Sequence, residues 1–201
     1  MTEAWRAFRL AMGDLWESSI LVVTGGLFGG LASILLIPLP FVLAAHYGSA
    51  LRLAEQRVAT WRTWLADARQ ETSFFVKWSL LLAVTIVISL VNVYFYGQMP
   101  FTGAVLLRWL MALLLLLWLL PQPFVPAIFL QQEDRRLRTA LRNAAVLVLR
   151  NPLHALLLWA GALLLAWFLA YIAWPLLGLL LPYLAIGGTR AVFVQLGREE
   201  A

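Results

Sequence analysis

Very few side chains in this sequence could do chemistry. The two histidines, His46 and His154, each stand at the edge of a long apolar run, and neither belongs to a His-Glu-x-x-His spacing. They read as packing residues at a membrane edge, because a metal site needs several converging donors. The densest charge cluster is Glu133-Asp134-Arg135-Arg136. Neighbouring carboxylates can shift each other's pKa and so serve as an acid–base pair. Here two guanidiniums follow at once, so the segment reads as a solvated salt-bridge cluster or a docking face. Cysteine is absent, which removes thiol nucleophiles, thiolate metal sites and disulfides. Within the apolar runs, away from their edges, the polar groups are the hydroxyls of Thr24, Ser33, Ser79, Thr85 and Ser89 and the amide of Asn92. Proton- and ion-coupled carriers place ionisable groups in mid-membrane. Asn92 is therefore the candidate intramembrane polar contact, more suited to a hydrogen bond between helices than to a solute path. No catalytic, cofactor or metal residue is assigned, and the expectation is a protein that is not an enzyme.

These residues are set in an unusually apolar chain. Of the 201 residues 63% are hydrophobic and 12% charged, and mean hydropathy is +0.85, whereas soluble domains are about half apolar and a quarter charged. Each crossing of a bilayer takes about 20 apolar residues. The length therefore suits one polytopic all-α membrane bundle of about five helices, with no separate soluble domain. Residues 20–45 are long enough for one tilted span and too short for two, and Gly25, Gly26, Gly29 and Gly30 would let another helix approach closely. Thr72 or Ser73 is placed to cap a second span, 74–96, and an uncharged turn over 97–103 leads into a third, 104–130. Pro121, Pro123 and Pro126 should kink or open that third helix. Residues 153–186 carry no charge and divide near Tyr171 to Pro175. They give a span over 153–170, started by Asn151 and Pro152, and another over 176–192.

The arginines gather between the spans. The connection 49–72 has an apolar stripe of Leu51, Ala54, Val58, Trp61, Leu65 and Ala68, with Arg52, Arg57, Arg62 and Arg69 among its cations. The connection 131–151 repeats the design, with Leu137, Leu141, Ala144, Ala145 and Val148 as the stripe and Arg135, Arg136, Arg138 and Arg142 beside it. Both read as amphipathic segments on the inner leaflet, their arginines contacting anionic lipid headgroups or a protein partner and not nucleic acid. With five spans, twelve basic residues fall on the side of these connections and three (Arg6, Arg9 and Arg108) on the other. By the positive-inside rule the connections and the C-terminus are cytoplasmic. The odd count puts the N-terminus outside, yet residues 1–17, with Trp5, Phe8, Met12, Leu15 and Trp16 at helical spacing, form an interfacial amphipathic helix that fits the headgroup region on either side, so its side stays open. Trp61, Trp64, Trp78, Trp109, Trp159 and Trp174 stand near span edges and read as interfacial anchors.

Pro38-Leu39-Pro40-Phe41-Val42-Leu43-Ala44 returns as Pro121-Gln122-Pro123-Phe124-Val125-Pro126-Ala127, and Arg62-Thr63-Trp64-Leu65 aligns with Arg138-Thr139-Ala140-Leu141. The chain thus carries an internal repeat of helix, amphipathic connection and helix. A span ending in proline and small residues over 38–50, an arginine-bearing amphipathic segment and then Trp78 at the next span resemble the YesL-like family of bacterial integral membrane proteins. Where that family reads Pro, two apolar residues, Thr and Gly-Pro, this chain has Pro40-Phe41-Val42-Leu43-Ala44-Ala45. The resemblance implies a multi-pass protein of the bacterial inner membrane, sometimes associated with carbohydrate uptake, with no catalytic residues to carry over. The leading expectation is a non-enzymatic membrane accessory protein, with a transporter or channel subunit for a small neutral solute as the alternative. A lipid-directed enzyme would require Glu133, Asp134 and His46 to meet in one pocket.

Overall fold

The computed structural model describes residues 2–33, 39–172 and 174–197. Pro38, Ala173 and Arg198 lie outside the described residues, as do the side chains of Ser33, Trp174 and Pro175. The described residues are all-helical. They form α1 (Thr2–Glu17), α2 (Ser19–Ser33), α3 (Leu39–Ala54), α4 (Trp61–Gln70), α5 (Thr72–Gly97), α6 (Thr102–Leu119), α7 (Phe124–Gln131), α8 (Leu137–Arg150), α9 (Pro152–Ile172), a 3-10 turn (Trp174–Leu179) and α10 (Leu180–Gln195). Among them four helical stretches are long and apolar enough to cross a membrane: 72–97, 102–131 taken through its bend, 152–172 and 176–195.

The run 20–45, expected as a single tilted helix, is instead shared between two. α2 ends at Ser33 and α3 begins at Leu39. The two legs lie antiparallel: Gly25 faces the His46 ring, while Ser18 and Val22 share surroundings with Ser49 and Leu53. At 1.5 Å per residue each leg is about 22–24 Å long, short of a hydrocarbon core of about 30 Å. Length alone could not distinguish this pair from one tilted span, because both use the same apolar count.

Two proline-bearing segments start buried helices. α3 buries Val42, Ala45, Tyr47 and Ala50, and α7 buries every residue from Phe124 to Phe129. The break between α6 and α7 follows from Pro121 and Pro123, which offer no N–H to the preceding turn. Backbone carbonyls freed inside a membrane protein must find another donor. Here Gln122 Nε2 donates to the Trp118 carbonyl at 2.9 Å, Trp159 Nε1 to Leu120 at 3.3 Å and Tyr47 Oη to Pro123 at 2.9 Å. Trp78 Nε1 in turn donates to Gln122 Oε1 at 3.0 Å. Trp64 and Trp78 are therefore buried structural residues and not interfacial anchors, while Trp109 does face outward.

Around this node Phe74 stacks on Phe129 with ring centroids 3.6 Å apart, and Phe75 is fully enclosed. α10 runs past so closely that a Cβ on Gly188 would stand 2.5 Å from the Pro123 carbonyl oxygen. Beyond their first turns α5 and α6 pack chiefly on each other and present Val87, Ile88, Leu106 and Leu117 outward. The α5 start also differs from expectation. Glu71 precedes the helix without a side-chain cap, and Thr72 donates back to the Ala68 carbonyl of α4 at 2.8 Å.

Candidate functional site

The two arginine-bearing connections form one surface. α4 is started by a reciprocal capping box, in which Thr60 Oγ1 accepts from Thr63 N–H and Thr63 Oγ1 accepts from Thr60 N–H. It then packs along α3, where Gly48 leaves room that a Cβ would not, since it would lie 2.6 Å from Asp67 Cβ. This close approach lets Asp67 accept two bonds from Arg52, from Nε at 2.9 Å and Nη2 at 2.7 Å. The hydrogen bonds to Asp67 push the Arg52 pKa up, against a smaller opposing effect of burial. Planar two-point pairing of this kind fixes geometry as well as charge.

The buried face of α4 is consequently Trp64, Asp67 and Ala68. Of the stripe expected from periodicity, Ala54 and Ala68 are buried, while Val58, Trp61 and Leu65 are exposed. A paired carboxylate, invisible to an apolar pattern, sits on the inner side of the helix, and the exposed apolar residues lie on its outer side. In α8 the inward residues are Ala140, Ala144, Leu147 and Val148, while Ala145 is exposed.

The second connection reaches the first through Arg135. Its backbone is left-handed, with φ of 48°, and its guanidinium pairs with Glu71 and stands 6.0 Å from the Phe129 ring centroid. Arg52, Asp67, Glu71 and Arg135 line a groove of about 200 Å³. Arg57 is exposed and approaches Glu55 at 3.4 Å. Arg62, Arg69, Arg136, Arg138 and Arg142 are exposed and form no ion pair with another described residue. Of the arginines singled out from sequence, Arg52 and Arg135 thus act as internal ties, and the others form the outward face.

α1 lies at this same end of the molecule. Ala4, Ala7 and Ala11 are buried, the helix packs on α10 and α9, and Asp14 takes a two-point pair from Arg190, with Nη2 to Oδ1 at 2.7 Å. Arg190 also donates to the Leu53 carbonyl at the end of α3. The five-span count puts the N-terminus on the other side while the amphipathic pattern of α1 fits either, and α1 packs at the arginine end. The aromatic stripe was legible, but the alanine face that docks α1 is too weakly apolar to register in a hydrophobic pattern. Trp5, Met12 and Trp16 remain exposed on its outer side.

No family model, curated protein or solved structure matches this chain.

The remaining candidates are held apart. His46 is buried against Gly25 and Trp64, its ring centroid 5.8 Å from the indole. His154 Nδ1 lies 3.3 Å from Gln195 Nε2. Glu133 and Asp134 are exposed on the α7–α8 link, where Asp134 accepts from Thr139 at 2.8 Å, so they do not meet His46. Among the described residues no three metal-ligating side chains gather. Asn92, expected to bridge helices, instead donates to the Ile88 carbonyl of its own helix at 2.7 Å. Thr24 and Thr85 do the same toward Ile20 and Leu81. A polar group four residues past a helical carbonyl can satisfy itself this way, which gives no interhelical contact.

The acidic partners Asp14, Asp67 and Glu71 and the amide of Gln122 are the structural residues that sequence reasoning missed. An available signal was the scarcity of acids in a basic chain: each carboxylate near a surface helix is a candidate for pairing with one of many arginines.

Proposed function

We propose that this chain is a non-enzymatic accessory protein of the bacterial inner membrane, whose arginine face docks an acidic surface of a membrane or cytoplasmic partner such as a transport complex. The observation that carries this reading is the array of Arg62, Arg69, Arg136, Arg138 and Arg142, exposed and unpaired with any described residue, on two connections tied together by Arg135–Glu71, the first of them held to α3 by Arg52–Asp67. Complementary charge of this kind steers association and sets register. The resemblance to YesL-like proteins points the same way, with carbohydrate uptake systems as the partner class.

Orientation belongs to the same proposal. With α1 on the arginine end, Arg108, beside Gly97, is the lone basic residue at the opposite end among those described. So strong a bias makes the arginine end cytoplasmic by the positive-inside rule. A count of five spans requires residues 20–45 to cross. The antiparallel α2–α3 pair favours a run that enters and returns, leaving four crossings and both termini inside. An internal repeat is supported by register: Trp64 and Ala68 of α4 and Ala140 and Ala144 of α8, equivalent in the Arg-Thr-x-Leu alignment, all point inward. A solute path past Asn92 would need that amide to face other helices. Its bond to Ile88 favours the accessory reading over a carrier.

Affinity capture of the tagged chain from native membranes under gentle extraction tests the proposal. A stoichiometric protein partner is expected, and it should be lost when Arg62, Arg69, Arg138 and Arg142 are all changed to Gln. Recovery of the chain with lipid alone would overturn it.

A further inference from the structure

Between the α1–α2 corner and the loop joining α3 to α4 lies an open groove of about 900 Å³. Its floor is the Asp14–Arg190 pair, whose charges already cancel. Glu17 and Arg57, both exposed, line it as well. Among the described residues Arg57 pairs only with Glu55, at 3.4 Å. The rim is apolar and open: Ile20 is 79% exposed, Val58 78% and Trp61 41%.

This combination identifies the occupant by its chemistry. Contiguous exposed apolar side chains mark a surface that something covers. The groove opens where the apolar run begins at Ile20, and an indole at such a level suits the headgroup boundary. Its charges are two acids and two arginines. A purely anionic headgroup attracted to Arg57 would also meet Glu17, and a purely cationic one drawn to Glu17 would meet Arg57. A headgroup carrying both signs satisfies both. We infer that the groove holds one phospholipid with a zwitterionic phosphate–ammonium headgroup. The phosphate is paired with Arg57 and the ammonium with Glu17, and the acyl chains pass between Ile20 and Trp61 into the bilayer. This site uses none of the five arginines of the docking array.

Native mass spectrometry of the full chain in mild detergent, titrated separately with phosphatidylethanolamine and phosphatidylglycerol, tests the inference. One phosphatidylethanolamine should be retained per chain, at least tenfold more tightly than phosphatidylglycerol. Retention should fall at least tenfold in the Glu17→Gln/Arg57→Gln variant and stay unchanged in Arg138→Gln/Arg142→Gln. The exchange Glu17→Arg/Arg57→Glu keeps both signs in the groove and should retain the lipid, which covers the case of a neutralised variant that does not fold. Equal or reversed preference between the two lipids, or undiminished retention in the neutralised variant, would overturn it. Loss of a protein partner in the Arg138/Arg142 variant with the lipid still bound would separate this site from the docking proposal.

Discussion

The arginine end of the molecule and the α5–α6 hairpin solve the same problem in opposite ways. At the arginine end polar groups are satisfied across the chain: Asp14 by Arg190, Asp67 by Arg52, Gln122 by Trp78, and the Pro123 carbonyl by Tyr47. In the hairpin Thr85 and Asn92 are satisfied by their own helix, and the outer surface is chiefly Val, Ile and Leu with aromatics such as Tyr94 and Trp109. The contrast shows where structure is specified. A helix surrounded by lipid needs only apolar side chains and self-sufficient polar ones. An end built from short helices needs partners that name one another.

Breaking the more enclosed of the two ion pairs should have the largest effect. Asp14→Ala leaves Arg190 facing a partly closed interior without its counter-charge, and such a loss costs about 3–5 kcal/mol. A large fall in thermal stability in detergent is expected, with partial recovery when Arg190→Met is added, because the uncompensated charge is then gone. Gly188→Ala comes next. Its new methyl group would meet the Pro123 carbonyl, and overpacking of this kind costs about 1–3 kcal/mol. The same thermal assay should show the loss, and equal stability would mean that α10 can move away from the bend. Trp78→Phe keeps the ring but leaves Gln122 Oε1 without its buried donor, a cost of about 1–3 kcal/mol. At the far end of the comparison, Asn92→Leu in the hairpin should change stability by no more than about 0.5 kcal/mol. It should also leave partner capture intact. A marked loss there would show that the hairpin, too, depends on a specific polar contact.

What the sequence discloses follows the same division. The hairpin and the two C-terminal spans were readable because a long apolar run between turn residues has few alternatives. The amphipathic connections were recognisable as a class, yet the burial of Asp67 was not, because its partner Arg52 lies fifteen residues away. The end at which α1 lies stays open in the sequence for a related reason. Its aromatic stripe advertises a membrane surface, whereas its docking rests on three alanines and on Asp14, whose partner is 176 residues along the chain. Long-range pairing between single charges leaves no periodic trace. The division of 20–45 into α2 and α3 was hidden by composition, since the run is uniformly apolar whether it crosses or returns. For the site, the arginines were identifiable by type, but which of them act as ties and which face outward depends on where Glu71 and Asp67 lie.

The central claim is that α1, both arginine connections and the open ends of α2 and α3 share one side. The chain has no native cysteine, so single cysteines at Glu3, Gln56, Glu133 and Thr102 can be read with a membrane-impermeant thiol reagent in intact cells. Labelling of Thr102→Cys alone, with the other three labelled only after the cells are opened, is the predicted result. Labelling of Glu3→Cys together with Thr102→Cys would contradict it, because residues 20–45 would then have to cross the membrane.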